Sequence, residues 1–407
     1  FSYKGQMIPY GTSSEPDFGV GTGSVVKAGN TYYFYYTGHN GTSPFVQNNP
    51  RESVLCATST DLKNWTKNPN FKITAPEGYY DFDFRDPHVF YNEKEGNYNM
   101  IVSTQTEPAR KAVLLAFTSS DPSTGNWQVK GPIYTTTSQE NYLMMECADI
   151  FQMGNYWYLV FSENWGNSRG THYKMASSID GPWTTPEQDM FDGEYFYAGK
   201  TASDGNKRYA FGWTARKSPE NDGGNKEWAG NMVIHEINQN GDGTLIFHAP
   251  QAVKNIFSKQ IALELVNKTG TVAENNNNYQ LDGNAMVNFK SAGKKAKINA
   301  TISVANSTNS AGFKFDTNDA GAYYKILLEP SNNRIAGYNS ANQLVTQIPF
   351  KTEVGVGYEV EIISDGSITT FYIGGKKVLS NRIYGRELTK WGLISEGQQF
   401  TVSNLKL

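Results

Sequence analysis

The chain has 407 residues, with 36 Lys and Arg against 39 Asp and Glu and a formal net charge of -3, a balance that excludes the basic surfaces used to hold nucleic acid or an anionic membrane. No run approaches the roughly 20 apolar residues of a spanning helix, and two cysteines, Cys56 and Cys147, are too few for a disulfide framework and too far apart for a zinc pair. Aromatic residues make up 14% of the chain, which suits β structure and stacking on flat apolar faces such as those of sugar rings.

The opening residues, FSYKGQMIPYG, show no charged-then-apolar leader pattern. Richness in Asn, Gly, Tyr and Trp leads us to expect a secreted or cell-surface protein, of a bacterium.

Over the first 250 residues helical periodicity is nearly absent, and short aromatic or β-branched runs recur between Gly, Asn and Asp. NTYYFYYTG (30–38), GNYNMIVST (96–104), GNYWYLVFS (154–162) and NKRYAFGWT (206–214) share a turn followed by aromatics. The first three are followed by a second signature, ATSTDLKNW, FTSSDPSTGNW and ASSIDGPW. Repeats holding several short strands are the signature of propeller blades, because one blade cannot bury both of its faces alone. Four repeats plus the strand-turn-strand piece GNMVIHEINQNGDGTLIFHAP (230–250) predict a five-bladed β-propeller over residues 1–255.

After Pro250 the composition shifts. QAVKNIFSKQ is the one weakly helical stretch, and beyond it KAKINATISVAN, AGAYYKILLEP, YEVEIISD and SITTFYIGGKKVL alternate between turn signals. They predict two antiparallel sheets packed face to face, a β-sandwich over residues 256–407. The predicted fold class is thus all-β, a five-bladed β-propeller followed by a C-terminal β-sandwich.

Two charged steps carry the functional reading. In FDFRDPHVF, Pro87 fixes the direction in which Asp86 leaves the turn at the start of a strand. In MMECADIF, Glu146 follows an apolar Leu-Met-Met run, an odd place for an exposed acid. A partly buried carboxyl can stay protonated and serve as a general acid. Two acids at equivalent positions of adjacent blades, both facing the central funnel, are what glycosidic cleavage requires.

These motifs, with FDGEYFYAGKTASDGNKRYAFGW (191–213) downstream, make the chain resemble glycoside hydrolase family 32, whose members cut fructosyl bonds in sucrose, inulin and levan. It is more distantly similar to the five-bladed arabinan- and xylan-cleaving families. The resemblance covers the whole length. It implies that Glu146 is the acid/base protonating the leaving oxygen. Asp86 would hold fructose hydroxyls and support the oxocarbenium-like transition state. Arg85 would orient Glu146 or bind a hydroxyl, with a structural ion pair as its alternative. Cys147 comes over as a motif neighbour, and His88 has no assigned role.

The family's third acid is where the chain departs. The resemblance implies a nucleophilic Asp just before the first innermost strand, and in DFGVGTGSVVKAGNTYYFYYTG the matching position is Thr22. Asp17 and Glu15 lie upstream in a Gly-rich loop. Three accounts stay open: Asp17 as nucleophile about 5 to 5.5 Å from Glu146 in a retaining reaction; an acid about 6.5 to 9.5 Å away in an inverting one; or a domain that binds sugar without cutting it. Thr22 as nucleophile needs a base that the sequence does not name.

Further candidates for substrate contact are Trp165, Tyr197 and Trp213, with His39 and Asn40 after the first aromatic strand and Asp192 and Glu194 on the same rim as Tyr197. No calcium-loop spacing stands out, and no metal or cofactor is expected. The expected partner is an oligo- or polysaccharide, a fructan by resemblance. The expected function is hydrolysis of β-fructosides. The alternatives are a catalytically inactive fructan-binding protein and an inverting furanosidase on arabinose-type glycans.

Overall fold

The structure is a computed structural model and describes residues 5–164 and 169–407. Among them helix is confined to the short turns Ser43–Val46, Gln251–Lys254 and Pro330–Asn332, the second of these falling in the stretch expected to be weakly helical. The chain divides into two compact units, residues 1–186 and residues 187–407.

The first unit holds three antiparallel sheets in simple up-and-down order. One is built from β1 (Gly19–Ala28), β2 (Thr31–His39), β3 (Glu52–Ser59) and β4 (Thr66–Ile73). The next comprises β5 (Arg85–Asn92), β6 (Asn97–Gln105), β7 (Ala112–Ser119) and β8 (Gln128–Thr135), and the third β9 (Glu146–Met153), β10 (Tyr156–Glu163) and β11 (Gly170–Ala176).

Central strands are buried on both faces, which is why they read as continuous apolar runs. Tyr35 packs edge-on to Phe71 and Trp127 at 5.4 and 5.7 Å between the first and second sheets, while its neighbour Tyr36 belongs to a separate cluster with Ile8 and Leu55. Ile101, Leu114, Met145, Ile150, Leu159 and Phe161 fill the space between the second and third sheets. Each such side chain contributes about 1.5–3 kcal/mol by leaving water, so face-to-face stacking of blades is the main stabilising term.

The second unit opens with a fourth sheet, β12 (Tyr197–Ser203), β13 (Arg208–Ser218), β14 (Asn225–Gln239) and β15 (Leu245–His248). Here the expectation of five blades is corrected: four blade sheets are present among the described residues. The piece at 230–250 does not complete a fifth, because its first strand pairs with the fourth repeat, Arg208 opposite Ile237 and Trp213 opposite Met232. The rest of this unit is one sheet of twelve strands between Leu265 and Lys406, folded over a single core as a nearly closed sandwich. Its two ends meet at Gly193, where a Cβ would lie 2.4 Å from Leu379 and 2.5 Å from Thr346.

The innermost strand of every blade opens with a bulge, two residues opposite one. Arg85 pairs with Ser103 and then His88 with Ile101; Glu146 pairs with Ser162 and then Asp149 with Val160. Tyr197 pairs with Trp213 and then Lys200 with Phe211, and Val20 with Gly38 and then Gly23 with Tyr36. Asp86, Cys147 and Ala198, each the first bulged residue, adopt φ of 63°, 53° and 56°. Left-handed backbone at residues bearing a Cβ is strained, and such strain gathers at functional sites.

Candidate active site

The bulges put Arg85 level with Glu146, and Asp86 level with Cys147. The two acids therefore stand one residue out of step, not at equivalent positions as the motifs suggested. The offset is filled by reciprocal bonds between β5 and β9. Arg85 donates from Nε and Nη2 to Oε1 of Glu146 at 3.1 and 2.9 Å, and the Asp86 Oδ2 accepts from the backbone N of Cys147 at 2.7 Å. A third rung follows where His88 Nε2 meets Asp149 Oδ1 at 3.1 Å. The carboxyls of Asp86 and Glu146 are thus drawn to one edge of the adjoining sheets, and both residues are buried.

Arg85 is itself braced. Its Nη1 donates to Glu52 Oε2 at 3.0 Å and to Asp83 Oδ1 at 2.6 Å, while Arg51 Nη2 donates to the same Asp83 oxygen at 2.7 Å. Glu52 also accepts from the backbone N of Phe84 at 3.1 Å and meets His39 Nδ1 at 3.1 Å. Burial alone would raise the Glu52 carboxyl, but the His39 bond and the Arg85 and Arg51 guanidiniums outweigh it and hold the group below the usual carboxylate range. Burial likewise pulls against the charge on Arg85, and Glu52, Glu146 and Asp86 reverse that pull. The result is a buried network in which one guanidinium is shared by three carboxylates.

Glu52 and Asp83 were missed in the sequence. The signal for Glu52 was there, since it opens ESVLCATS, a strand otherwise buried nearly throughout, which is the same anomaly that singled out Glu146.

Thr22 comes to this edge from β1. Its Oγ1 lies 3.4 Å from the Cys147 Sγ and its carbonyl accepts from Thr37 Oγ1 at 3.0 Å, which in turn accepts from the Asp86 backbone N at 2.8 Å. At the level of Arg85, Asp86 and His88, β1 offers Val20, Gly21 and Gly23. None of these three carries a carboxylate, and a Cβ on Gly23 would lie 2.1 Å from the Tyr35 carbonyl.

Asp17 is buried but turns elsewhere. Lys67 Nζ lies 2.5 Å from its Oδ2, and the Tyr36 hydroxyl donates to the same oxygen at 3.1 Å. Successive residues of a strand face opposite sides, so Tyr36 holds Asp17 on the face of the first sheet away from the one Thr37 turns to Asp86. Glu15 accepts from the backbone N of Thr12 at 2.7 Å as part of a turn, and Asn40 pins that loop through the carbonyls of Ser13 and Glu15.

Trp165 lies outside the described residues. In the second unit Tyr197 and Trp213 are ring neighbours at 5.3 Å. Asp192 is structural: fully buried, it meets His235 Nε2 at 3.0 Å and accepts from the Ser380 backbone N at 2.7 Å. Glu194 pairs with Lys226 at 3.6 Å. Among the described residues no three His, Cys, Asp or Glu side chains gather in a metal-holding arrangement, and no helix is long and apolar enough to cross a membrane. Cys56 is buried, and burial pushes its thiol up to about 12.

Comparison with known proteins identifies the family. Residues 3–250 match the model of the glycosyl hydrolases family 32 N-terminal domain, and residues 243–407 match the GH32, BT1760-like, C-terminal domain. The chain belongs to glycosyl hydrolase family 32. It is 27% identical over 242 residues to a sucrose-6-phosphate hydrolase of Escherichia coli, covering 56% of this chain and 49% of that protein. It is 25% identical over 259 residues to a raffinose invertase of Escherichia coli, covering 59% and 52%. The chain spans about half the length of these relatives. In fold it is similar to the sucrose-6-phosphate hydrolase of Lactobacillus gasseri, with a TM-score of 0.71 at 18% identity over 97% of this chain and 79% of that one. It is also similar to an Aspergillus kawachii β-fructofuranosidase, with a TM-score of 0.75 at 15% identity over 99% and 84%.

Proposed function

We propose that this protein is a glycoside hydrolase that cleaves the fructosyl bond of β-fructosides of the sucrose, inulin or levan type. Glu146 acts as acid/base and Asp86 as the carboxylate that holds the fructose hydroxyls and stabilises the transition state. The observation that carries the reading is the double hydrogen bond from Arg85 to Glu146 beside the Asp86 carboxylate. Two further residues and a backbone feature support it. Glu52 and Asp83 fix Arg85, which aims Glu146, and the left-handed bulge at Asp86 sets the direction of the second acid. The named relatives, a sucrose-6-phosphate hydrolase and a raffinose invertase, favour a fructoside substrate. The catalytic domain corresponds to residues 1–255 and the sandwich to 256–407, and the protein works outside the cell, as composition suggests.

A second reading, a fructan-binding domain that does not cut, is favoured by one observation. Among the described residues, the sheet of β1 to β4 has no carboxylate level with Asp86, and Asp17 is engaged by Lys67 and Tyr36. A reducing-sugar assay on sucrose, inulin, levan and arabinan, run beside Glu146→Gln, separates the readings. Fructose release that disappears in the variant supports the enzyme. Fructan binding without product in the wild type supports the second reading, and release from arabinan alone would move the substrate to arabinose-type glycans.

A further inference from the structure

In the fourth blade, β13 and β14 run past the rest of their sheet as an arm whose strands pair as far as Ser218 opposite Asn225. Long hairpins fray unless held, and this one is held at several points. Arg382 donates to the carbonyls of Ala215 and Thr214 on one strand at 3.0 and 2.7 Å and to Asn231 Oδ1 on the other at 2.9 Å. The Lys217 backbone N donates to the Tyr384 hydroxyl at 3.0 Å, and Asp222 Oδ2 accepts from the Ser340 backbone N at 2.6 Å. The strand bends where the register shifts between Ala215 and Lys217 and where Ala229 takes φ of 63°.

At that bend the arm presents Trp228, 64% exposed, the most open tryptophan among the described residues. It is backed by Tyr197 and Trp213, whose ring centroids lie 5.5 and 5.3 Å away at 63° and 69°. Edge-on support of this kind fixes the indole and leaves a face for a ligand.

The chemistry of the patch selects its occupant. Apart from Trp228, the only exposed large apolar residue between 225 and 239 is Met232, so the patch is far below the roughly 800 Å² per partner of a stable protein interface. Lys226 is paired with Glu194, and the residue beside Trp228 is the acid Glu227, so an anionic ligand is disfavoured.

We propose that Trp228, backed by Tyr197 and Trp213, is a stacking platform for a neutral sugar unit of an oligosaccharide chain. The proposal deepens the fructoside reading and rests on it for the identity of the sugar. An exposed side chain on a braced arm can be removed without unfolding the blade, so Trp228→Ala is a direct test, with Trp228→Phe as a conservative partner. The measurements are kcat/KM for sucrose and for inulin-type oligosaccharides of three to five units, and affinity electrophoresis in gels carrying inulin or levan. The ratio of kcat/KM for the longest oligosaccharide to that for sucrose falls about tenfold in Trp228→Ala through KM and recovers in part in Trp228→Phe, and the variant loses retardation by fructan. An unchanged ratio with unchanged retardation overturns the platform while leaving the fructoside reading intact. If the wild type cleaves no fructoside, that reading fails on its own, and the platform is judged by electrophoresis across neutral glycans. Retardation of the wild type but not the variant upholds it; equal mobility, or a variant altered only in self-association, defeats it.

Discussion

Arg85 reaches across from the second blade and donates twice to one oxygen of Glu146, and the same guanidinium is gripped from behind by Glu52 and Asp83. A forked donor fixes both the position and the plane of a carboxylate, which a lysine ammonium cannot do. Arg85→Lys should therefore keep the fold but lower kcat on sucrose by about 10- to 100-fold with a smaller change in KM. Arg85→Ala removes the one guanidinium that Glu146, Glu52 and Asp83 share and should cost about 3–5 kcal/mol of stability. Steady-state kinetics and urea unfolding check the two outcomes.

Glu146→Gln removes the transferable proton and keeps the shape. General acid–base groups contribute about 10²–10⁴-fold, so kcat should drop by that order while Tm moves by only a few degrees. A substrate with a good leaving group, which needs less protonation, should lose less. Equal losses on good and poor leaving groups would remove Glu146 from the acid role.

Asp17→Asn distinguishes a nucleophile from a structural anchor. If Asp17 attacks the sugar, activity disappears with the fold intact. If it only neutralises Lys67 and receives the Tyr36 hydroxyl, the folded fraction keeps near wild-type kcat, and the midpoint of denaturation falls by an amount fitting loss of a charged bond, about 2 kcal/mol. Activity per folded molecule, measured alongside circular dichroism, reads out which occurs.

Glu52 makes stability depend on acid. Its folded carboxyl titrates below its unfolded value, with burial opposing and His39, Arg85 and Arg51 prevailing. The unfolded state therefore binds the proton first, and stability is present above the ordinary carboxylate range and is lost as pH falls through the folded value. Glu52→Gln should be less stable than the wild type at pH 7 by about 2 kcal/mol, with the difference closing below about pH 4.

Lys377 gives the opposite pattern. Burial, against a weaker pull from Asp189, pushes its amine down to about 8. Below that pH both states are charged and the folded state bears the desolvation; between it and the ordinary lysine value only the unfolded state holds the proton, so stability rises with pH across that window. Lys377→Met should raise Tm at pH 7 by the equivalent of about 1–3 kcal/mol, and the gain should shrink towards pH 10.

Much of this was legible in the sequence because local chemistry wrote it there. Turn-bounded aromatic runs marked β2, β6, β10 and β13, and Pro87 and the Leu-Met-Met run marked the two acids. What stayed hidden depends on pairing between distant strands. Whether 230–250 completes a fifth blade or belongs to the fourth is decided by its ladder with Arg208–Ala215, and a strand motif carries no label for its partner. The one-residue offset between Asp86 and Glu146 comes from bulges that only the register exposes. Trp228 lies in a polar stretch, NKEWAGN, whose folding into an arm depends on Arg382, some 150 positions later in the chain.

Gly193 carries a consequence of its own. Because the first and last edges of the twelve-stranded sheet close upon its bare α-carbon, the sandwich has a seam with no room for even a methyl group. Adding one there should prise that seam apart and uncover ladder atoms on both sides, turning a sealed module into one with sticky margins that recruit other chains.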